Sequence, residues 1–138
     1  MKLHLTRRYR FSASHRLHSA QLDEQTNQRV YGKCNNPYGH GHNYAVEVTV
    51  GGPIDPVKGM ICDLGELDAL VQREVIDRFD HQNLNAMTEF HDTVPTSENL
   101  CEMIFHILKR ELRAGHLEHV RLEETSRNSF EYGEGMLR

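Results

Sequence analysis

Cysteine is scarce in this chain. There are three in 138 residues, an odd number with no Cys-x-x-Cys pair, which argues against a disulfide framework and for free thiols in a reducing cytoplasm. No secretory leader opens the sequence, in keeping with a cytoplasmic expectation. No apolar run approaches the ~20 residues that cross a bilayer. An excess of positive charge is also missing: 16 Lys and Arg stand against 20 Asp and Glu, a formal net charge of -4. That balance gives no reason to expect a nucleic-acid or anionic-membrane partner. Arg7, Arg8 and Arg10 form a local basic patch able to hold a small anion, though a solvated strand face is its simpler reading. Low-complexity segments and internal repeats are lacking too. The expectation is a single domain over 1–138, long enough to bury a core without staples.

Histidine, by contrast, is plentiful, with ten in the chain. Two of them flank one glycine in the stretch from Gly32 to Tyr44, as His40-Gly41-His42, and Cys34 lies six positions before His40. Imidazole is the commonest metal ligand among side chains and suits zinc. Gly41 has no Cβ, so the backbone there is free to turn both rings toward one point. Two ligands are not enough, and a third has to come from elsewhere.

The alternation at the start of the chain supplies it. Leu3, Leu5, Tyr9, Phe11 and Ala13 share one parity; His4, Thr6, Arg8, Arg10, Ser12 and Ser14 share the other, with Arg7 the polar intruder among the apolar set. Period two predicts a half-buried strand over 3–15, with His15 closing the apolar parity. Residues 16–41 show no period and many turn formers, and read as a long loop, a length that in compact domains usually signals function or disorder. A second strand follows over 42–50, with Tyr44, Val46, Val48 and Val50 on one face and His42 at its head. Antiparallel pairing of the two strands puts His15 and His42 at the same end and on the same face. His40 reaches that point from the loop. The result is an open three-histidine site, the ligand set of some catalytic zinc centres.

Further along, Asp63 with Glu66 opens a helix that keeps apolar spacing to about residue 79. Pro95-Thr96-Ser97 opens another, striped by Leu100, Ile104, Ile107, Leu108 and Leu112, with Gly115 as its stop. Val120 and Leu122 mark a third strand whose face ends at Glu124, and Phe130 and Tyr132 a fourth. The expected class is α+β, in the order ββααββ, with two helices on one face of an antiparallel sheet.

Cys34 is the candidate reactive thiol, since its polar Asn/Pro/Gly loop suits a buried hydrophobe less well than the settings of Cys62 and Cys101 do. A fourth zinc ligand closing a structural site is the other role open to it. Asp80-His81 pairs an acid with an imidazole at a helix end, where a histidine also serves simply as a partner for the helix dipole. Glu124 either emerges into solvent or offers two acceptors to a planar ligand presenting N–H groups.

Taken together, these residues resemble the 6-pyruvoyl-tetrahydropterin synthase family. The match runs through Phe11-Ser12-Ala13-Ser14-His15-Arg16-Leu17, Gly32-Lys33-Cys34-Asn35-Asn36-Pro37 and Gly39-His40-Gly41-His42-Asn43-Tyr44. It continues in Asp80-His81 with Asn83-Leu84, Thr96-Ser97-Glu98-Asn99 and Glu124-Thr125. The resemblance implies a tunnelling fold, in which three ββααββ subunits close a twelve-stranded barrel and two trimers stack into a hexamer. It implies zinc on His15, His40 and His42, Cys34 as proton acceptor, and Asp80 and His81 tuning that thiol across a subunit boundary. Glu124 would hold a pterin ring, with the Thr96-Ser97 backbone lining the pocket. The implied reaction converts 7,8-dihydroneopterin triphosphate to 6-pyruvoyl-tetrahydropterin plus triphosphate.

Five residues between Cys34 and His40 resemble the pyruvoyl branch. The sister 6-carboxy-tetrahydropterin synthases of queuosine biosynthesis usually have three. Gln82, where the pyruvoyl branch often has lysine, and Tyr38 depart from the pattern. A third reading, from a different class, is a non-enzymatic binding module in which Cys34 and the three histidines form a closed structural zinc site.

Overall fold

The opening alternation forms β1 (Leu3–His15), and the computed structural model describes residues 3–113 and 115–134. β1 lies antiparallel to β2 (His40–Gly52), in a register that sets Phe11 opposite Tyr44 and His15 opposite His40. β2 begins two residues earlier than its apolar pattern suggests and carries Gly51-Gly52 as its last pair. Both histidines of His40-Gly41-His42 are therefore strand residues. Gly41 proves unremarkable, because a Cβ there would make only an ordinary 3.7 Å contact with Ala13 O. The period of the strand, not glycine freedom, turns His40 and His42 to one face.

The expected loop over 16–41 is instead partly helical: α1 spans Glu24–Tyr31 and a 3₁₀ turn spans Gly32–Asn35. α1 lacks an apolar stripe, and its one buried residue is Asn27. Asp23 caps it, accepting from Thr26 N at 2.7 Å. The Asn27 amide donates to the carbonyls of Ser19, Leu22 and Asp23 and accepts from Ser19 N. Polar satisfaction, which hydrophobic spacing does not register, holds this segment together.

α2 (Leu64–Val71) is capped by Asp63 as expected, with Glu66 N donating to its side chain at 3.1 Å. A π-turn (Gln72–Ile76) and a last helical turn, α3 (Asp77–Phe79), continue it. After them come the two-residue β3 (Gln82–Asn83) and two 3₁₀ turns, Leu84–Ala86 and Thr88–Phe90. α4 (Ser97–Glu111) stops before Gly115, which stands beyond the Leu112 C-cap. β4 (His116–Glu123) and β5 (Ser129–Gly133) complete the sheet.

Among the described residues the sheet has five strands, in the order β3-β1-β2-β4-β5. It is not wholly antiparallel, because β3 runs parallel to the end of β1 through Ala13↔Gln82 and Ser14↔Asn83. The class is α+β. The core lies between sheet and helices: Phe11, Tyr44, Val46, Val48 and Val50 from the strands meet Leu67, Val71, Phe79, Leu100, Ile104 and Leu108 from the helices. Arg7, the intruder, escapes that core by a bidentate bond to Asp68 of α2 at 2.8 and 3.0 Å, with Tyr9 OH donating to the same carboxylate. On the opposite face Arg8 joins Glu47 and Glu123 across three strands. Cys62 and Cys101 are buried, as expected of small hydrophobes, and burial pushes the Cys101 thiol up to about 12.

Candidate metal centre and active site

Strand register builds the centre. His15 closes β1, His40 opens β2 opposite it, and His42 sits opposite Ala13, so all three side chains leave one face of the sheet. Their ε nitrogens converge: His42 Nε2 lies 3.2 Å from His15 Nε2 and 3.1 Å from His40 Nε2. Two nitrogens bound to one tetrahedral zinc at about 2.0–2.1 Å stand roughly 3.3 Å apart. The observed spacing is close to that edge. Facing lone pairs at this distance repel unless a proton or a cation lies between them, so the donor set fits a metal ion.

The imidazoles are oriented from behind. His15, 1% exposed, has its Nδ1 2.9 Å from Pro95 O, which makes Nδ1 the protonated nitrogen and leaves the Nε2 lone pair toward the centre. Burial lowers the proton affinity of His15 and of His42, which favours the neutral, ligating form. Space is tight around His15. Gly39, at φ +71°, passes so close that a Cβ would stand 2.9 Å from His15 O. This is the glycine the site requires.

Cys34 arrives from the 3₁₀ turn after α1. Its sulfur lies 3.3 Å from His40 Nε2, and the four candidate donor atoms of His15, Cys34, His40 and His42 all lie within 4.8 Å of one another. Cys34 O accepts from Leu17 N at 2.7 Å, fastening the turn to the chain leaving β1. Burial raises the Cys34 thiol, and the Glu124 charge raises it further. Within this one chain the thiol is thus held protonated, and a thiolate needs a positive neighbour.

Glu124 turns inward. It follows the last residue of β4, and its carboxylate lies 3.8 Å from His42 Nε2 and accepts from Ser97 Oγ at 2.5 Å. Thr96 caps α4 by accepting from Asn99 N, so its side chain is spent on the helix end. The short segment Pro95-Thr96-Ser97 thereby starts α4, orients His15 and holds Glu124.

Asp80 and His81 stand apart. Asp80 accepts from Ser12 N at 2.8 Å, and that bond, more than His81 at 2.9 Å, keeps its carboxyl below the usual range. His81 takes a left-handed backbone, φ 60°, with its ring 82% exposed. It borders an open cleft of about 440 Å³ with Ser12, Ser14, Gly41 and Asn43, a lining that includes His42 but not Cys34. Gln82 borders the same cleft, and Tyr38 projects from its loop 96% exposed. The site residue that sequence reasoning missed is Tyr44, whose hydroxyl reaches within 3.5 Å of His15 Nδ1. Its parity placed it with the apolar face, and only the hydroxyl among those valines signalled more.

Comparison with known proteins agrees with this geometry. Residues 4–135 match the family model described as 6-pyruvoyl tetrahydropterin synthase. The 6-pyruvoyl tetrahydrobiopterin synthase of Poecilia reticulata is 46% identical over 130 residues, covering 94% of this chain and 88% of the relative. The human protein of the same name is 43% identical over 129 residues, covering 93% and 89%. The structure of Caenorhabditis elegans 6-pyruvoyl tetrahydropterin synthase superposes with a TM-score of 0.92 at 41% identity, covering 96% of each chain. Sequence blocks, fold and the cluster of imidazoles lead to one conclusion: the chain belongs to the 6-pyruvoyl tetrahydropterin synthase family.

Proposed function

We propose that this protein is a zinc-dependent 6-pyruvoyl-tetrahydropterin synthase, a lyase that converts 7,8-dihydroneopterin triphosphate to 6-pyruvoyl-tetrahydropterin and triphosphate. The observation that carries the proposal is the convergence of three ε nitrogens beside a half-buried thiol and an inward carboxylate. That the chain is 46% identical to a synthase of this name supports the substrate. His15, His40 and His42 would hold the zinc, which when bound would supply Lewis-acid polarisation of the side-chain oxygens of the substrate.

The remaining chemistry falls to protein groups. Cys34 Sγ takes and returns protons at the side-chain carbons, a general-base role suited to a thiol beside an imidazole. Glu124 accepts N–H groups of the pterin ring, and the Thr96-Ser97 backbone lines its pocket. Asp80 and His81 are assigned to the thiol of a neighbouring subunit, since their bonds here run to Ser12 and to each other.

That assignment requires an oligomer. Among the described residues β1 is paired along its outer edge only at Ala13 and Ser14, and β5 only with β4. Such edges call for partners, and we assign them to a barrel of three subunits, two of which stack as a hexamer. The decisive experiment incubates the zinc-loaded protein with 7,8-dihydroneopterin triphosphate and identifies the product by mass. A 6-carboxy product would move the protein to the sister branch; no turnover with zinc bound would favour a structural site.

A further inference from the structure

Ser12 N donates to Asp80 Oδ1 at 2.8 Å, and His81 N donates to Ser12 O at 2.6 Å. Ser12 therefore turns both backbone groups away from β2. The β1–β2 register runs unbroken from Leu3 to His15, so His4, Thr6, Arg8 and Arg10 turn theirs outward as well. Among the described residues those outward groups are unpaired, and their side chains lie on the polar face of the sheet. On β5, Glu124 N donates to Asn128 O and Glu134 N to Glu118 O, which commits the even-numbered residues to β4. Ser129, Glu131 and Gly133 then face outward. Ser129 and Glu131 stand opposite Glu123 and Arg121, again on the polar face.

Charge decides which edge meets which. Arg10 is exposed, and among the described residues its side chain makes no hydrogen bond or ion pair. Glu131 reaches Arg121 only at 3.7 Å. Two β1 edges set together would bring arginine against arginine, and two β5 edges glutamate against glutamate, and like charges directly opposite destabilise a strand pair. The β5 edge of one copy against the β1 edge of the next matches them. The two strands run in opposite directions within the sheet, so a rotated copy meets antiparallel.

We propose that β5 of one subunit pairs with β1 of the next in a single register, Ser129 opposite Arg10, Glu131 opposite Arg8 and Gly133 opposite Thr6, with Asp80-His81 as the plug that ends it. This inference rests on the subunit assembly proposed above. A shift toward Ser12 is blocked, because Asp80 and His81 already hold that backbone. A shift the other way carries Glu131 past Arg8 to Thr6 and sets Phe130 against Arg7. In the proposed register Glu131 has Arg8 opposite and Arg10 on the diagonal, and on the core face Phe130 meets Tyr9, an aromatic pair that favours a strand contact. Ser12 and its plug then come level with the turn over 125–128, just past Glu124. The same edge thus delivers a neighbour's Asp80 and His81 to the strand end where Glu124 turns inward.

Cysteine pairs test the register in the zinc-loaded full chain under mild oxidation, with the wild-type chain as control for its three thiols. Arg10→Cys with Ser129→Cys should give covalently linked subunits on a denaturing gel. Bonded antiparallel partners stand about 5.5 Å apart at Cα, within the roughly 4.4–6.8 Å that a disulfide spans. Arg8→Cys with Ser129→Cys lies on a diagonal of about 7–8 Å and should not link. Glu131→Arg and Arg10→Glu should each raise the protein concentration of half-assembly about tenfold, and the two together should bring it back. The cysteine pairs replace exposed side chains, so the register stays testable if a charge reversal unfolds the chain. An assembled protein that links only through Arg8→Cys and Ser129→Cys, or through neither pair, overturns the register and leaves the assembly intact. A double reversal that does not recover overturns the charge match. A wild-type chain that stays monomeric overturns the assembly itself, and the register with it.

Discussion

Cys34, with its sulfur 3.3 Å from His40 Nε2, has two roles open to it: a base beside three histidine ligands, or a fourth ligand. Replacing it with alanine separates them. As a base, its loss leaves zinc bound near one per chain while turnover falls by about 10²–10⁴-fold. As a ligand, its loss lowers zinc content and melting temperature together, because structural metal binding contributes to folding. We expect the first outcome, read by metal analysis and thermal melting beside activity. The imidazoles give a second prediction. Burial lowers His15 and His42 from their ordinary 6.5. Between the lowered values and 6.5 the unfolded chain binds more protons than the native one, so stability rises with pH through that window and levels above it. Urea midpoints of the metal-free protein should fall as pH is lowered from about 6.5 to 5. The lowered carboxylates, Asp80 among them, lose their contribution from about pH 5 downward and leave this window clear. Constant midpoints would contradict the burial argument. The convergence of the three imidazoles was legible in the sequence because a period of two and one antiparallel pairing fix both face and end. Whether Glu124 turned in or out was not, since a residue just past a strand end has no parity to follow.

The helix α1 shows where reading by element stops. Its segment, Glu24–Tyr31, offers no apolar stripe, and Val30 is exposed, so hydrophobic period carries no signal there. Its order comes from the Asp23 cap and from the 0%-exposed Asn27, whose side chain ties Ser19, Leu22 and Asp23 together. Asn27→Leu keeps the size of the side chain and leaves the Ser19 amide and those carbonyls without their partner. It should cost about 1–3 kcal/mol in urea unfolding and loosen the turn that carries Cys34. Asp63→Ala removes only a cap and should cost about 1 kcal/mol. Equal effects would mean that Asn27 merely fills space. The helices with apolar stripes, α2 and α4, were legible together with the Asp63 cap and the Pro95-Thr96-Ser97 opening. The π-turn after α2 and the parallel β3 were not, because each depends on how the chain after Val71 packs back on β1.

At the scale of the whole molecule, one chain holds every proposed group but does not bring them together. Cys34 lies with the imidazoles, while His81 borders a cleft that Cys34 does not line, 82% exposed and bonded to Asp80. If the active site is completed by a neighbour, two inactive variants can repair each other. Cys34→Ala keeps a working Asp80-His81 pair, and His81→Ala keeps a working thiol. In an oligomer assembled from equal amounts of both, a site pairing the thiol of one variant with the histidine of the other has every group intact. Random assembly makes such sites about a quarter of the total. Mixing, mild dissociation and reassembly should therefore lift activity from near zero toward that fraction. If Cys34 and His81 instead act within one chain, every site lacks one group, and no mixture regains activity. Light scattering on the same samples supplies the control. A particle the size of one chain at micromolar concentration would remove the neighbour on which the shared site depends, whereas a trimer or hexamer that still shows no recovery would put Cys34 and His81 to work within one chain and leave the assembly standing.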